Sequence, residues 1–348
     1  MYALVTGGGG FLGQYIVRQL LARGDKVRIF CRNHHEIFDQ LENVDVKFGN
    51  LRSMVDVHKA CEGIDVVYHV AGKAGISCRW EPFFETNTLG TLLVIDGCVK
   101  AGVKKLIYTS SPSVVFNGKS QEGIDESVPH PDNWSSPYPE SKGLAERIVL
   151  EANGRDGLLT CALRPHLIWG PGDCHLFPRL IERAKKGKLR RIGNGKNMVD
   201  VTYVENAAHA HLLAADALFE GSPVAGSSYF ISQGKPVNCW DFINELLTIA
   251  KLPLVTRSVS YRSAWCKGLF LENWYGLFGL HGEPVLTRFL AAQLARSHWF
   301  NISRAQNDFG YRPIVSTEEG LARLAEEINW PTTKADVVNG NRESVGEI

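Results

Sequence analysis

The chain has 348 residues, 44% hydrophobic and 22% charged, the make-up of an ordinary globular protein with enough length to bury a sizeable core. Lys and Arg number 38 against 37 Asp and Glu, a net charge of +1, so no global field draws it to nucleic acid or to an acidic partner. The eight cysteines show neither C-x-x-C nor paired Cys/His spacing, so they read as buried free thiols, no metal site is expected, and the absence of a basic, apolar leader before Met1–Val5 gives the expectation of a cytoplasmic protein in which the sequons at Asn133 and Asn301 carry no weight.

The apolar run Tyr2–Thr6 reads as a strand and leads into Gly7-Gly8-Gly9-Gly10-Phe11-Leu12-Gly13. A helix over Phe11–Arg23 follows, with Phe11, Leu12, Ile16, Val17, Leu20 and Leu21 at helical spacing. Strand, glycine turn and helix in that order suit a dinucleotide pyrophosphate. Glycines allow close backbone approach, and the helix start offers free N–H groups and a positive dipole end. Alone, Gly7, Gly10 and Gly13 also fit a plain tight turn.

Further strands are expected at Lys26–Cys31, Val44–Phe48, Asp65–Val70, Lys105–Thr109 and Thr160–Leu163. Helices over Met54–Cys61 and Thr88–Ala101 lie between them. This alternation is that of an α/β protein with a doubly wound, Rossmann-type parallel sheet. The second strand ends in Cys31-Arg32-Asn33, with no carboxylate for a ribose 2′-hydroxyl. Arg32 there suits the 2′-phosphate of NADP, or else is a solvated loop residue; Arg52 is a second phosphate candidate.

Tyr138-Pro139-Glu140-Ser141-Lys142 falls on an expected helix, where a spacing of four puts Tyr138 and Lys142 on one face. A free phenol ionises near pH 10, and a neighbouring ammonium favours its phenolate. Tyr138 could then give a proton to a carbonyl oxygen as hydride arrives, with Lys142 in support. Ser111, in Ser110-Ser111-Pro112-Ser113 at the end of the Lys105–Thr109 strand, is chosen to polarise that oxygen. Ser110 and Ser113 read as local caps or turn formers.

Beyond Pro165 the alternation breaks up. A Gly/Pro cluster at Trp169–Gly172 precedes a helix over 176–186 and a hairpin-like piece, Arg190–Ile192 with Gly193-Asn194-Gly195. A helix at Ala207–Ala217, a strand at Ser228–Ile231 and a helix at Cys239–Ala250 come next. The expected organisation is a nucleotide-binding domain over 1–165 with returning segments near 196–232, a smaller discontinuous C-terminal substrate lobe within 166–330, and a polar tail, 331–348. Tyr261–Leu280 is rich in Trp, Phe and Leu. It reads as a buried or capping helix pair, or as a lid or lipid contact. Arg262, Lys267, Glu272 and Asn273 argue against a membrane span.

Taken together, these residues resemble the extended short-chain dehydrogenase/reductase family. Added to them are Asn87 in Thr86-Asn87-Thr88-Leu89-Gly90-Thr91, Arg164-Pro165 leading into Trp169-Gly170-Pro171-Gly172, and Val201-Thr202-Tyr203-Val204-Glu205-Asn206-Ala207-Ala208. The chain is most similar to the 3β-hydroxysteroid dehydrogenase branch. Within it, Tyr108–Phe116, Leu163–Asp173, Asn206–Leu213, Tyr229–Gly234 and His298–Phe300 resemble bacterial reductases of long-chain olefin biosynthesis. That resemblance implies NADPH-dependent reduction of a 2-alkyl-3-oxoalkanoate to the 3-hydroxy acid, work alongside condensing and β-lactone-forming enzymes, and a homodimer. It also implies a cofactor set of Gly7, Gly10, Phe11, Leu12, Gly13, Arg32, Asn50, Leu51, Lys142 and Pro165. Asn50 stands where the family usually has Asp, and its amide oxygen can accept the same adenine bond.

Other readings are an NAD-dependent 3β-hydroxysteroid or sterol dehydrogenase, a sugar-nucleotide enzyme, and a non-catalytic NADP sensor. The third would be expected to lack one of Ser111, Tyr138 and Lys142, and the second fits poorly with a lobe rich in Trp, Phe and Leu. His166 and His175 are candidates for contact with a substrate carboxylate, and Lys73 for a phosphate or carboxylate. His34-His35 reads as an exposed loop. His209 and His211 diverge on a helix, and Cys174 reads as a buried free thiol.

Overall fold

Most strands of the first half are apolar on both faces, which dictates a sheet covered on both sides. A computed structural model of the chain describes residues 1–174, 176–280 and 282–329. Its main sheet has seven parallel strands: β1 (Tyr2–Thr6), β2 (Lys26–Cys31), β3 (Val44–Phe48), β4 (Val66–His69), β5 (Lys105–Thr109), β6 (Leu159–Pro165) and β7 (Ser227–Ile231). They lie in the order β7-β6-β5-β4-β1-β2-β3, so the winding reverses between β4 and β1. Ligands bind at such a reversal, beyond the carboxyl ends of the strands.

Ala3, Val5, Ile29, Tyr68, Ile107 and Leu163 face one layer, packed on α1 (Phe11–Ala22). Leu4, Phe30, Val67, Leu106, Tyr108 and Ala162 face the other. There they meet α2 (Met54–Cys61), α3 (Gly90–Ala101) and α4 (Pro137–Glu151). A further helix, α5 (Val204–Ala217), returns to pack on α1. This is the Rossmann-type sheet that the alternation foretold.

A separate core holds the later chain together around Trp169, Tyr203 and the helix α6 (Cys239–Ile249), which contributes Trp240, Phe242 and Leu247. Beside it, a four-stranded sheet gathers Gln121–Ile124, Met198–Val199, Val237–Asn238 and His298–Phe300 from distant parts of the sequence. The expected hairpin is not formed. Arg191–Ile192 instead pairs in parallel with Ser258–Val259. Gly193 and Gly195, at φ of 82° and 74°, turn the chain away into the four-stranded sheet. The helix expected from Thr88 already begins at Glu81 and passes through a π-helical stretch, Phe84–Leu89, that carries Asn87.

Tyr261–Leu280 is neither buried nor a helix pair in itself. It forms one helix, α7 (Tyr261–Leu277), with only Ala264 and Gly268 buried. α7 packs on α8 (Arg288–Ala295), where a Cβ on Gly268 would sit 2.6 Å from the Thr287 backbone. Past that contact Phe270, Trp274, Leu277 and Phe278 are exposed. Among the described residues no helix is long and apolar enough to cross a membrane. All eight cysteines are free, but Cys174 and Cys266 are exposed, so Cys174 is not the buried thiol expected.

Candidate active site

The carboxyl ends of β1, β4, β5 and β6 deliver Gly7, Val70, Ser110 and Pro165 to the wall of a single cavity of about 940 Å³. Its floor at β1 is the glycine turn. Gly7 has φ of 71°, and a Cβ there would lie 2.9 Å from the Ala71 Cα. Gly10 caps α1 without a side chain, and a Cβ on Gly13 would fall 2.2 Å from the Gly7 carbonyl oxygen. Side chains are thus excluded where backbone must approach a ligand. The N–H groups of Phe11 and Leu12, at the start of α1, have no helical acceptor of their own. Such a cradle fits a dinucleotide pyrophosphate.

The far end of this half is formed by Arg32, Asn50, Leu51 and Arg52. Arg32 is exposed and makes no ion pair among the described residues, whereas Arg52 pairs with Glu85. Asn50 Oδ1 accepts the Arg52 N–H at 3.0 Å, which leaves one lone pair for an adenine amino group. His34 and His35 are exposed, as expected.

At the centre Tyr138 reaches the cavity from the first turn of α4, beside Ser111. Ser111 is itself the cap of the short turn Pro112–Val115, a role expected of its neighbours. Its Oγ lies 2.9 Å from the Ser113 Oγ and accepts the Ser113 N–H at 3.3 Å. Burial raises the Tyr138 phenol above its usual range, and the Ser111 hydroxyl beside it pulls the other way.

Lys142 is buried, with Nζ donating to the Thr109 carbonyl at 2.5 Å and 4.2 Å from the centre of the Tyr108 ring. Burial lowers its pKa to about 7, against the pull of Glu146. Its ammonium thus takes the Thr109 carbonyl, so its charge reaches the Tyr138 phenol through space, while the Ser111 hydroxyl stands beside that phenol. Below it, Glu146 is held by Arg164 through bonds of 2.9 and 2.6 Å and by His130 at 2.8 Å. Burial alone would raise that carboxyl, but Arg164 outweighs it and the pKa falls to about 2.

Asn87 ties the loop after β4 to α4. It exchanges hydrogen bonds with the Lys73 backbone at 2.7 and 3.0 Å and donates to Ser141 Oγ at 2.9 Å. Lys73 is exposed at the cavity, 5.7 Å from the Phe83 ring centre. Beyond the hydroxyls the wall is formed by Phe116, Leu167, Ile168, Phe289 and Leu290, with His166 and His298 among them. Phe289 and Leu290 carry no motif and were not foreseen, and Phe116, at the end of the Tyr108–Phe116 stretch, was given no place in the wall. Their apolar character was the only signal. His211 is spent on Thr109 and the Ala207 carbonyl, and burial lowers its pKa to about 4. His175 and the 331–348 tail lie outside the described residues.

Residues 4–258 match the 3-beta hydroxysteroid dehydrogenase/isomerase family. The chain is 45% identical to 2-alkyl-3-oxoalkanoate reductase of Stenotrophomonas maltophilia, over 93% of this chain and 98% of that one. It is 43% identical to the enzyme of that name from Shewanella oneidensis, over 93% and 85%. With the mouse sterol-4-alpha-carboxylate 3-dehydrogenase, decarboxylating, identity is 37% over 93% and 90%. Its fold is shared with dTDP-glucose 4,6-dehydratase of Streptomyces venezuelae bound to NAD, at TM-score 0.75 and 23% identity over 95% of this chain and 98% of that one. The UDP-glucose 4-epimerase of Thermus thermophilus with NAD gives 0.72 and 23%, over 95% and 100%.

Proposed function

Because this chain belongs to the 3-beta hydroxysteroid dehydrogenase/isomerase family, and is an oxidoreductase of keto and hydroxyl groups with a nicotinamide cofactor, we propose that it reduces the 3-keto group of a 2-alkyl-3-oxoalkanoate with NADPH. The observation that carries this reading is one cavity with a glycine cradle at one end, an apolar wall at the other, and the Tyr138 and Ser111 hydroxyls lining it between them.

In this reading the bound nicotinamide supplies hydride to C3. Tyr138 gives its hydroxyl proton to the C3 oxygen, and Ser111 donates a hydrogen bond to that oxygen as charge develops on it. Ser113 holds Ser111 in place. Lys142 lies in the same buried layer, and its positive charge makes loss of the Tyr138 proton easier. Phe116, Leu167, Ile168, Phe289 and Leu290 exclude water and take the alkyl chains, each buried methylene contributing about 0.8 kcal/mol. Arg32 is assigned to the 2′-phosphate of NADPH. The same reading puts the protein, as a homodimer, between a condensing enzyme and a β-lactone-forming enzyme.

A panel of 2-alkyl-3-oxo acids and 3β-hydroxysterols, each assayed in both directions with NADPH or NADH and its oxidised form, tests the proposal. The expected result is oxo-acid reduction with NADPH, lost by about 10²-fold or more in Tyr138→Phe. Activity confined to sterols with NAD would select the sterol dehydrogenase instead. Full NADPH oxidation by Tyr138→Phe would remove the assigned proton donor.

A further inference from the structure

Two buried histidines sit in the apolar wall. His166 follows β6 and is 6% exposed, while His298 opens its strand and is 3% exposed. Their rings stack with centres 4.7 Å apart, and Nδ1 of His298 lies 2.8 Å from Nε2 of His166. On the far side, Nε2 of His298 lies 2.7 Å from the Gln293 carbonyl oxygen.

Proton positions follow from this chain of contacts. A carbonyl only accepts, so Nε2 of His298 carries a hydrogen. In the neutral ring Nδ1 is then bare, so the shared hydrogen belongs to Nε2 of His166. That leaves Nδ1 of His166 as an unprotonated acceptor, and it is buried with no hydrogen-bond partner. The pair has one unfilled proton position. Filling it creates a single positive charge shared by two rings.

Burial disfavours that charge, and both imidazoles are held below their ordinary range. An anion against the rings reverses the balance. The groups facing the pair from neighbouring segments are few. The Asp200 backbone carbonyl faces the His166 ring and favours its protonated form, and the Asp200 carboxyl accepts the Phe300 N–H at 2.8 Å and is raised by burial to about 6. Tyr311 stands behind Asp200. The Lys and Arg of the cavity wall are elsewhere: Arg32 and Arg52 beyond β2 and β3, Lys142 on Thr109, Lys73 exposed over Phe83.

Resting on the oxo-acid reading above, we propose that His166 and His298, as a proton-sharing cationic couple, form the subsite that takes the substrate carboxylate. The carboxylate of a 3-oxo acid is two bonds from the reacting carbon, so this contact would also fix which face of the ketone meets Tyr138. Sterols without the acid group gain nothing from it.

The test compares oxidation of a 2-alkyl-3-hydroxy acid and of its methyl ester by the full chain with NADP. His166→Phe and His298→Gln are expected to raise KM for the acid about tenfold or more, with KM for the ester unchanged. The second, milder substitution guards against a folding defect in the first. Equal losses on acid and ester would overturn the proposal, as would an acid-selective loss in Lys73→Ala. Calorimetry of the hydroxy acid binding to the NADPH-loaded enzyme at pH 8, in two buffers of different ionisation enthalpy, gives a second readout. Uptake of about one proton is expected for the acid and none for the ester, and binding of the acid without uptake would overturn the cationic couple. If neither compound is turned over, the reductase reading falls, and the calorimetry still decides the subsite from binding alone.

Discussion

Lys142 gives its ammonium to the Thr109 carbonyl at 2.5 Å, not to the Tyr138 hydroxyl one helical turn away. A buried ammonium must spend its donors on whatever acceptor is nearest, and β5 ends directly beneath α4. The cost of that burial is visible in a pKa lowered to about 7. Unfolded, a lysine titrates near pH 10.4. Between these two values the unfolded chain binds the proton and the folded chain does not, so this group makes stability rise with pH from about 7 to about 10. Lys142→Met removes the charge and with it the pH-dependent penalty. Its thermal midpoint should exceed that of the natural protein at pH 7, and the advantage should shrink as pH approaches 10, while turnover is lost. A midpoint difference that is constant across that range would contradict the buried, charge-disfavouring setting.

The 2.9 Å contact between Ser111 and Ser113 predicts two different losses. Ser111→Ala removes the donor assigned to the substrate oxygen, and kcat should fall about 10²-fold, as for other single oxyanion donors. Ser113→Ala leaves that donor in place but frees its rotation. The expected fall is about tenfold or less, in kcat and with little change in KM. Steady-state kinetics on the same oxo acid distinguish the two. Equal effects would mean that Ser113, not Ser111, faces the substrate.

Arg32 is exposed and without an ion-pair partner among the described residues, whereas Arg52 is engaged by Glu85. Loss of a charge-assisted phosphate contact at Arg32→Ala should reduce the preference for NADPH over NADH by about tenfold to a hundredfold, mainly through the KM for NADPH. Arg52→Ala should change that ratio far less. An unaltered ratio in Arg32→Ala would leave the coenzyme preference unassigned to this residue.

The inner strands of the main sheet were legible as short apolar runs buried on both faces, and β1, β2, β3 and β5 begin and end where composition places them, although β3 is a partly exposed edge strand. The glycine turn and the Tyr138–Lys142 spacing were legible for the same local reason: backbone approach and helix periodicity are written within a few residues. What was missed is set by long-range pairing. Arg191–Ile192 finds its partner at Ser258–Val259, and His298 meets His166 across 132 positions, through a small sheet that no local pattern announces. The apolar make-up of α7 pointed to burial, yet only its small residues, Ala264 and Gly268, are enclosed. Backbone packing on α8 fixed which side of α7 is covered, and its aromatic residues were left outside.

Glycine substitutions give a last prediction in which two identical changes act in opposite directions. Inside a helix, replacing glycine by alanine ordinarily stabilises by about 0.5–1 kcal/mol, through the lost freedom of the unfolded chain. Gly276, near the end of α7, meets nothing within 4 Å of an added Cβ, so Gly276→Ala should show this gain. Gly13 lies in α1 with an added Cβ only 2.2 Å from the Gly7 carbonyl oxygen and 2.9 Å from the Gly8 Cα. Neither neighbour is a flexible side chain, so the turn itself has to move. Gly13→Ala should lower stability by about 1–3 kcal/mol and weaken coenzyme binding at the same time, because the displaced backbone is the cradle. Thermal unfolding with and without coenzyme measures both effects. A Gly13→Ala protein with unchanged midpoint and unchanged stabilisation by coenzyme would show that the phosphates rest elsewhere.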